Sequence, residues 1–501
     1  MIKKCLGFLG IIFVAALFLG EDASAGPDDW SISAANYARY YYFKDSKEDS
    51  AATRFQYDIY YGKFYQGAWF EAKHVSNQGS FNFTLNDITQ RYIGWEDRGL
   101  TIQAGNFYQV FDRGLALNSF RDDAVSVDLV LDGFKVNLRN NLVDVDAFSA
   151  TPGYGGSAFD PIVRGVRTKL KPIPQFQVGG AYVSYTLGTR TNVDQINGRF
   201  LLDYLDAYIE YARKRYVLED FINPANNQNK QGDGTYASLT GYARGFTYLF
   251  EYKNYYKLFY PEANYLNIPP AANHSDRLLE TEASNIFKPI NGEVGYRANG
   301  TFSWTDYWGA ELGYSHTKSR DTTSMNFNEL FSEIRGNFLG DNVFKLNIDW
   351  IRFNWHYSDT LFNVDTTFFR DELRPELEVE YFLDDFKSLV LDAFLIHYNY
   401  PDSGTAPGYY LADSTDYSEK NISLTYAQAP HFTITIGGSF SNKKLSADPA
   451  NMGYIETVLS FNNHDLTLFY GSERGGLVCS GGVCVYHSTF EGFRAILLSR
   501  F

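Results

Sequence analysis

Glu491-Gly-Phe-Arg-Ala-Ile-Leu-Leu-Ser-Arg-Phe501 is the stretch of sequence that decides the fold. Every second residue, counted back from the final aromatic, belongs to one mostly apolar face that includes Phe493, Leu497 and Phe501. An outer-membrane β-barrel needs such a face, because its last strand closes the barrel against lipid. We therefore expect these three residues to form a terminal signal that the barrel-assembly machinery recognises.

The N-terminal residues have the features of a secretory signal peptide. Met1–Lys4 is basic, Leu6–Gly20 is apolar, and Ala23-Ser-Ala25 offers small residues for cleavage. The apolar run is shorter than the roughly 20 residues that a membrane-spanning helix needs. We predict a signal peptide over residues 1–25 and one β-barrel domain over residues 26–501, without an N-terminal plug domain.

The composition narrows the class of protein. The chain has 39 Tyr, 41 Phe and 7 Trp, and membrane barrels use aromatic residues in belts at both interfaces. Its formal net charge of −15 argues against nucleic acid as a partner and against a pore lined with Arg and Lys. The eight histidines are scattered and no nucleophile motif has a suitable setting, so we expect no enzyme activity, cofactor or metal site.

Hairpin follows hairpin along the chain. In residues 292–316, for example, Val294, Tyr296 and Phe302 share one face, whereas Glu293 and Arg297 share the other. Short connections alternate with long ones, which is typical of outer-membrane barrels. We predict a transmembrane antiparallel up-and-down β-barrel of about 24 strands, with 20 to 26 as the range, and with both termini in the periplasm.

Two further points concern the fold. The apolar positions change from even to odd numbers within residues 344–357, which predicts a β-bulge near Trp350. The alternative fold is a soluble β-propeller, periplasmic or secreted, because about 24 strands would make about six blades. The chain lacks the blade repeat that a propeller shows, so we favour the barrel.

Cys479 and Cys484 are the cysteines that remain after the signal peptide. They lie in the last predicted outer loop, and a disulfide between them would staple the tip of a small hairpin in the oxidising envelope. The alternative is a redox or metal pair, for which His487 is the nearest histidine in sequence. We expect the structural disulfide.

Two long segments are candidates for narrowing the wide lumen of a barrel of this size. The first, residues 105–123, breaks the alternation, and it either folds inward as a constriction or packs as an outer loop. The second is residues 257–290, the longest connection, since loops of such length are usually functional or disordered. The candidate constriction residues are Phe107, Tyr108, Arg113, Arg121, Asp122 and Asp123.

One strand carries a row of carboxylates. Arg374, Glu376, Glu378 and Glu380 alternate with apolar residues and are the candidate lumen wall. Carboxylates in line inside a pore favour cations or polyols. The alternative is a polar wall that Lys and Arg on neighbouring strands neutralise.

Seven short segments of the chain belong together: Gly105-Asn-Phe-Tyr108, Arg113-Gly-Leu115, Asp132-Gly133, Asn267-Ile-Pro-Pro270, Arg474-Gly-Gly476, Cys479-Ser-Gly-Gly-Val-Cys484 and Arg500-Phe501. Together they resemble an uncharacterised family of bacterial envelope proteins, known only as a domain of unknown function. The resemblance implies an outer-membrane barrel and brings no known substrate or catalytic residue. The chain departs from the family pattern at Asp112, where glycine is expected.

The sequence thus predicts a barrel in the bacterial outer membrane, in contact with its lipid. The expected function is a channel or passive transporter for an unidentified solute, with a lumen narrowed by inward loops. The alternative is a non-conducting scaffold or receptor that holds an envelope or secretion partner. Purification with a partner favours the scaffold, whereas conductance favours the channel.

Overall fold

The structure is a computed structural model, which describes residues 30–75, 84–122, 127–152, 162–187, 189–218, 228–258, 292–320, 324–359, 364–399, 416–442, 450–480, 483–487 and 489–501. Among these residues, no helix has the length and apolar character that a membrane crossing requires. The predicted signal peptide and most of residues 257–290 lie outside the described residues.

The described chain is built from β-strands joined by turns. In chain order these are β1 (Trp30–Phe43), β2 (Asp49–Tyr61), β3 (Phe64–Val75), β4 (Thr84–Asp97), β5 (Leu100–Phe107), β6 (Gln109–Val110), β7 (Asn118–Ser119), β8 (Arg121–Asp122), β9 (Val127–Asp128), β10 (Leu131–Arg139), β11 (Val143–Pro152), β12 (Val163–Ile173), β13 (Phe176–Leu187), β14 (Thr189–Leu202), β15 (Leu205–Leu218), β16 (Gln228–Ala243), β17 (Phe246–Tyr256), β18 (Gly292–Ser303), β19 (Trp308–Ser319), β20 (Ser324–Phe338), β21 (Asn342–Asp359), β22 (Val364–Asp384), β23 (Lys387–Asn399), β24 (Tyr417–Gln428), β25 (Phe432–Ser441), β26 (Asn451–Phe461), β27 (His464–Glu473), β28 (Gly476–Ser480), β29 (Val483–His487) and β30 (Phe490–Arg500).

A 24-stranded antiparallel sheet closes on itself. It consists of β1–β5, β10–β27 and β30, and closure occurs where β30 pairs with both β27 and β1. In that pairing Phe493 lies opposite Tyr42, and the N–H of Phe501 donates to the carbonyl of Ala34 at 2.8 Å. The prediction of an all-β antiparallel barrel of about 24 strands is confirmed.

The wall of the barrel is apolar outside, and much of its inner face is polar. Tyr296 and Phe302 on β18 are 40% and 49% exposed, whereas Arg297, which points the other way, is 7% exposed. Side chains alternate in this way because successive residues of a strand point to opposite faces of the sheet. The pattern is the reverse of a soluble protein, in which the interior is apolar.

The two ends of the barrel differ in their connections. At one end, which also holds Trp30 and Phe501, the turns are two to four residues long. Gly245 in one of these turns has a φ of +73°, which glycine adopts without strain. At the other end, the connections range from the single residue 188 to residues 257–291. The short turns agree with the sequence prediction, and residue 188 is an exception to the expected long connections.

The expected bulge near Trp350 is wrong. β21 keeps a continuous register with β20 and β22 through this residue. Ile351 and Phe353 are 0% and 5% exposed and lie on the lumen face. The apolar residues therefore change from the outer face to the inner face, while the strand itself keeps its phase.

Candidate functional site

The connection between β5 and β10 folds into the barrel, and we call its described residues, 108–122 and 127–130, the inward loop. It has a compact shape of its own. β6 pairs with β7 and β8 pairs with β9. The N–H of Phe111 donates to the carbonyl of Leu117 at 3.0 Å, and the N–H of Gly114 donates to the carbonyl of Phe111 at 2.8 Å. These bonds satisfy backbone groups that burial would otherwise leave unpaired.

Apolar side chains of the inward loop pack against the inner wall. Phe111, Leu115, Ala116 and Leu117 are all 0% exposed. Burying a Phe or Leu side chain stabilises a protein by about 1.5–3 kcal/mol. The wall residues of the same cluster include Phe148, Ala150, Val163, Ala181, Val183, Tyr185, Val193, Ala212, Tyr236 and Tyr255.

A buried carboxylate fixes the tip of the inward loop. Asp112 has a φ of +52°, and its side chain is 1% exposed. It forms ion pairs with Arg167 Nη1 at 3.2 Å and Lys169 Nζ at 2.8 Å. Gln195 Nε2 and Asn197 Nδ2 donate to its Oδ2 at 2.9 and 2.8 Å. Every lone-pair direction of this carboxylate therefore has a partner, which offsets the cost of burying its charge.

A second carboxylate, from the wall, holds the backbone of the loop. Glu210 on β15 accepts the N–H of Arg113 at 3.0 Å and the N–H of Leu115 at 3.2 Å. Beside it, Gln195 Oε1 accepts the N–H of Ala116 at 3.2 Å. We call Asp112 and Glu210, with these partners, the two locks. They fasten the inward loop to β12, β14 and β15.

The aromatic candidate residues from the sequence lie at the base of the inward loop. Phe107 ends β5 and packs edge-to-face on Phe148, with ring centroids 5.9 Å apart. Tyr108 donates to Asp128 Oδ1 at 2.9 Å and accepts from Gln90 Nε2 at 2.6 Å. Burial, together with the carboxylate of Asp128, raises the pKa of Tyr108 above its usual range. Its hydroxyl therefore stays protonated and keeps donating.

The charged candidate residues reach two distant parts of the wall. The guanidinium of Arg113 lies 5.7 Å from the ring centroid of Tyr236 on β16. Arg121 lies over Trp69 on β3 at 4.8 Å and pairs with Glu71 at 3.4 Å. The inward loop thus contacts the wall from β3 to β16. The side chain of Asp122 and the whole of Asp123 lie outside the described residues.

Sequence reasoning missed the two locks. Glu210 carries no local signal, since it is one glutamate in an alternating strand. Asp112 carries a weak signal, because the resemblance leads us to expect glycine at this position, and its positive φ is a conformation that glycine favours. Asp is also one of the few other residues that adopt this conformation readily.

The candidate lumen wall lies on the inner face of β22. Glu376, Glu378 and Glu380 lie opposite Asn347, Lys345 and Val343 of β21. Asn347 Nδ2 donates to Glu376 Oε2 at 2.9 Å. Arg374 shares their face, but its Nε donates to the fully buried Glu372 at 2.8 Å. Arg374 therefore neutralises Glu372.

The predicted disulfide falls on the hairpin of β28 and β29. The backbone register places Cys479 directly opposite Cys484, at a separation that a disulfide can bridge. We expect protein extracted from the cell envelope to carry this bond, and the bond to contribute about 2 kcal/mol or less, because the loop that it closes is short. Reduction should raise the intact mass of the protein by the mass of two hydrogen atoms. Thiols that react with an alkylating reagent before reduction would contradict the prediction.

Comparison with known proteins gives the family. Residues 6–279 and 408–501 match the profile of a family of unknown function, DUF6029. The chain belongs to the DUF6029 family. No curated protein matches it. The membership agrees with the resemblance that the sequence motifs indicate.

Three solved structures illustrate the similarity of fold. The P pilus usher (PapC) translocation pore has a TM-score of 0.50 and 11% identity with this DUF6029 protein, and the match covers 94% of this chain and 98% of the usher chain. The siderophore receptor PirA from Pseudomonas aeruginosa has a TM-score of 0.49 and 7% identity, over 95% of this chain and 81% of the receptor. OpdQ from the same organism has a TM-score of 0.40 and 12% identity, over 66% of this chain and 95% of OpdQ. At these identities, the usher pore supports the barrel fold of the DUF6029 protein.

Proposed function

We propose that this DUF6029 protein is a channel or passive transporter of the bacterial outer membrane, with a lumen narrowed on one side by the inward loop. One observation carries the proposal. The inward loop is locked onto the inner wall of β12, β14 and β15, whereas the inner wall of β19–β25 keeps half-buried polar side chains near the short turns. A passage beside a fixed loop follows from this arrangement.

The exposure of the inner wall supports the position of this passage. Under the inward loop, Asn197 and Gln195 are 4% and 6% exposed. On the other side, Glu311, Thr425 and Thr435 face the lumen and are half-buried. Polar groups that remain accessible inside a closed barrel are suited to contact a hydrated solute.

The outer face supports the membrane location. Apolar side chains such as Ile196, Leu312 and Ile436 are 58–62% exposed around the barrel, and exposure of so many apolar groups to water would be costly. Lipid removes that cost. The short turns and both ends of the described chain then lie on the periplasmic side, and β30 is the strand by which the barrel-assembly machinery recognises the protein.

Planar-bilayer recording tests the channel. We expect the purified protein, reconstituted from detergent, to give discrete and stable single-channel openings, because a passage lined by polar groups admits water and ions. Heat-modifiable migration on a gel serves as the control for a folded barrel. A folded barrel without openings would contradict the channel.

The second candidate function is a non-conducting scaffold or receptor. The observation in its favour is the apolar cluster inside the barrel, where Val163, Val183 and Val193 are all 0% exposed. An interior of that kind excludes water. A folded but silent barrel in the bilayer experiment would favour this function, with an envelope protein as the partner.

A further inference from the structure

We propose that the passage is selective for hydrated cations, and that Glu376, Glu378 and Glu380 on β22 cause this selectivity. The inference rests on the proposed channel and names the class of solute for it. Three features of the inner wall support it. Carboxylates form a row in register, few basic side chains face them, and a buried amide oxygen beside them has no hydrogen-bond partner.

The carboxylates form a row across four neighbouring strands. Glu311 on β19 lies opposite Glu333 on β20, Glu333 lies opposite Asn347 on β21, and Asn347 lies opposite Glu376 on β22. Like charges directly opposite each other destabilise a sheet. A stability-optimised wall would avoid the Glu311–Glu333 pair, so its presence points to a function in the lumen. One register step along, Glu378 lies opposite Asp392 on β23.

Few basic groups face the same part of the lumen. Among the described residues of this wall, Lys345 lies opposite Glu378, and Arg335 lies 3.7 Å from Glu333 with a 64% exposed side chain. Two basic groups elsewhere on the inner wall pair with other carboxylates. Arg374 is bound to Glu372, and Lys169 to Asp112. Lys345 and Arg335 thus share this part of the wall with six carboxylates, those of Glu311, Glu333, Glu376, Glu378, Glu380 and Asp392.

A buried amide lies in the middle of the row. Asn347 is 8% exposed, and its Oδ1 has no hydrogen-bond partner among the described residues, although its Nδ2 donates to Glu376. Buried oxygens without a partner are rare and need an explanation. A cation, or a water molecule of its hydration shell, supplies a positive partner for this oxygen.

The spacing of the carboxylates suits long-range attraction of hydrated cations better than direct coordination of a bound ion. Neighbouring strands lie about 4.8 Å apart, and among the described residues no group of three Asp, Glu, His or Cys side chains is close enough to hold a metal ion. Cations therefore keep their water and pass along the carboxylates. Rings and rows of carboxylates select cations in this way.

The reversal potential in a KCl gradient tests the inference. For the native protein we expect a K⁺ to Cl⁻ permeability ratio of about 5 or more. The variant E376Q/E378Q/E380Q should reduce this ratio several-fold, towards 1, while openings remain. The matched control is D203N/D341N/D385N, which removes the same charge from short turns at the same end of the barrel. The control should keep the native ratio.

A single substitution gives an independent reading if the triple variant fails to show heat-modifiable migration. Asn347→Asp adds one carboxylate to the row with little change of shape, so it should raise the permeability ratio. Openings without cation preference in the native protein, or an equal loss of preference in the turn control, would overturn the inference alone. A silent, folded native barrel would overturn the proposed channel and the inference with it.

Discussion

Removing both locks should raise the single-channel conductance of the protein by at least about twofold. Asp112→Ala leaves the half-buried Lys169 without its carboxylate, and leaves Arg167 with the carboxylate of Asp146. Breaking a buried pair in this way costs up to about 3–5 kcal/mol. Glu210→Ala leaves the backbone N–H groups of Arg113 and Leu115 without an acceptor, at about 1–3 kcal/mol each. These costs together rival the apolar packing that remains, so the inward loop should detach.

Two control variants test whether a change in conductance comes from the loss of the two locks. A chain in which residues 109–120 are replaced by a short Gly-Ser linker gives the conductance of a passage without the loop. Asp144→Ala breaks another ion pair on the same wall, the one with Lys171 at 2.7 Å, and should leave conductance unchanged. If the linker protein conducts more and the double lock variant does not, the locks do not hold the loop. If neither differs from the native protein, the inward loop does not narrow the passage.

Gly492→Val should prevent the barrel from closing. Gly492 lies on β30 between Phe43 of β1 and Gly471 of β27, and its φ is +156°. A Cβ atom at this position would lie 1.8 Å from the carbonyl oxygen of Tyr42. The strand must therefore move away from β1, and the hydrogen bonds that join the first and last strands are lost. We expect the heat-modifiable form to fall to a small fraction of the native amount, which corresponds to a cost of several kcal/mol.

Gly453→Val is the matched control, because it makes the same substitution on a nearby strand of the same sheet. The nearest atom to a Cβ at Gly453 lies at 3.8 Å, which is an ordinary contact, and valine suits a strand. This variant should keep its heat-modifiable migration. Equal folding of both valine variants would show that β30 tolerates a displacement from β1.

The parts of the fold that could be predicted from the sequence are those that depend on neighbours along the chain. Alternation of apolar and polar residues repeats in each strand because the outside and the lumen of the barrel lie on opposite faces, and turn residues separate the strands. Hence strands such as β18 and the turn before Trp308 agree with the prediction. The same alternation places Glu376, Glu378 and Glu380 on one face.

The rest depends on contacts that no local pattern contains. The hydrogen bond from the N–H of Arg113 to Glu210 joins residues 97 positions apart. The sequence alone therefore could not distinguish a loop that folds into the barrel from one that packs outside it. The expected bulge near Trp350 failed for a related reason. Ile351 and Phe353 are apolar inside the barrel, whereas the prediction assumed that apolar side chains of a strand stay on the lipid side.

The two locks also constrain the order of assembly. They join residues 55 and 97 positions apart, whereas closure joins Ala34 to Phe501 across almost the whole chain. Contacts of short separation form faster, because less chain entropy is lost in making them. The inward loop should therefore settle onto β12–β15 while the sheet is still open and curved around it. Once β30 has paired with β1, an inward loop that is still outside the barrel could enter only through its open end. A closed barrel with the loop outside would therefore be a kinetically trapped state.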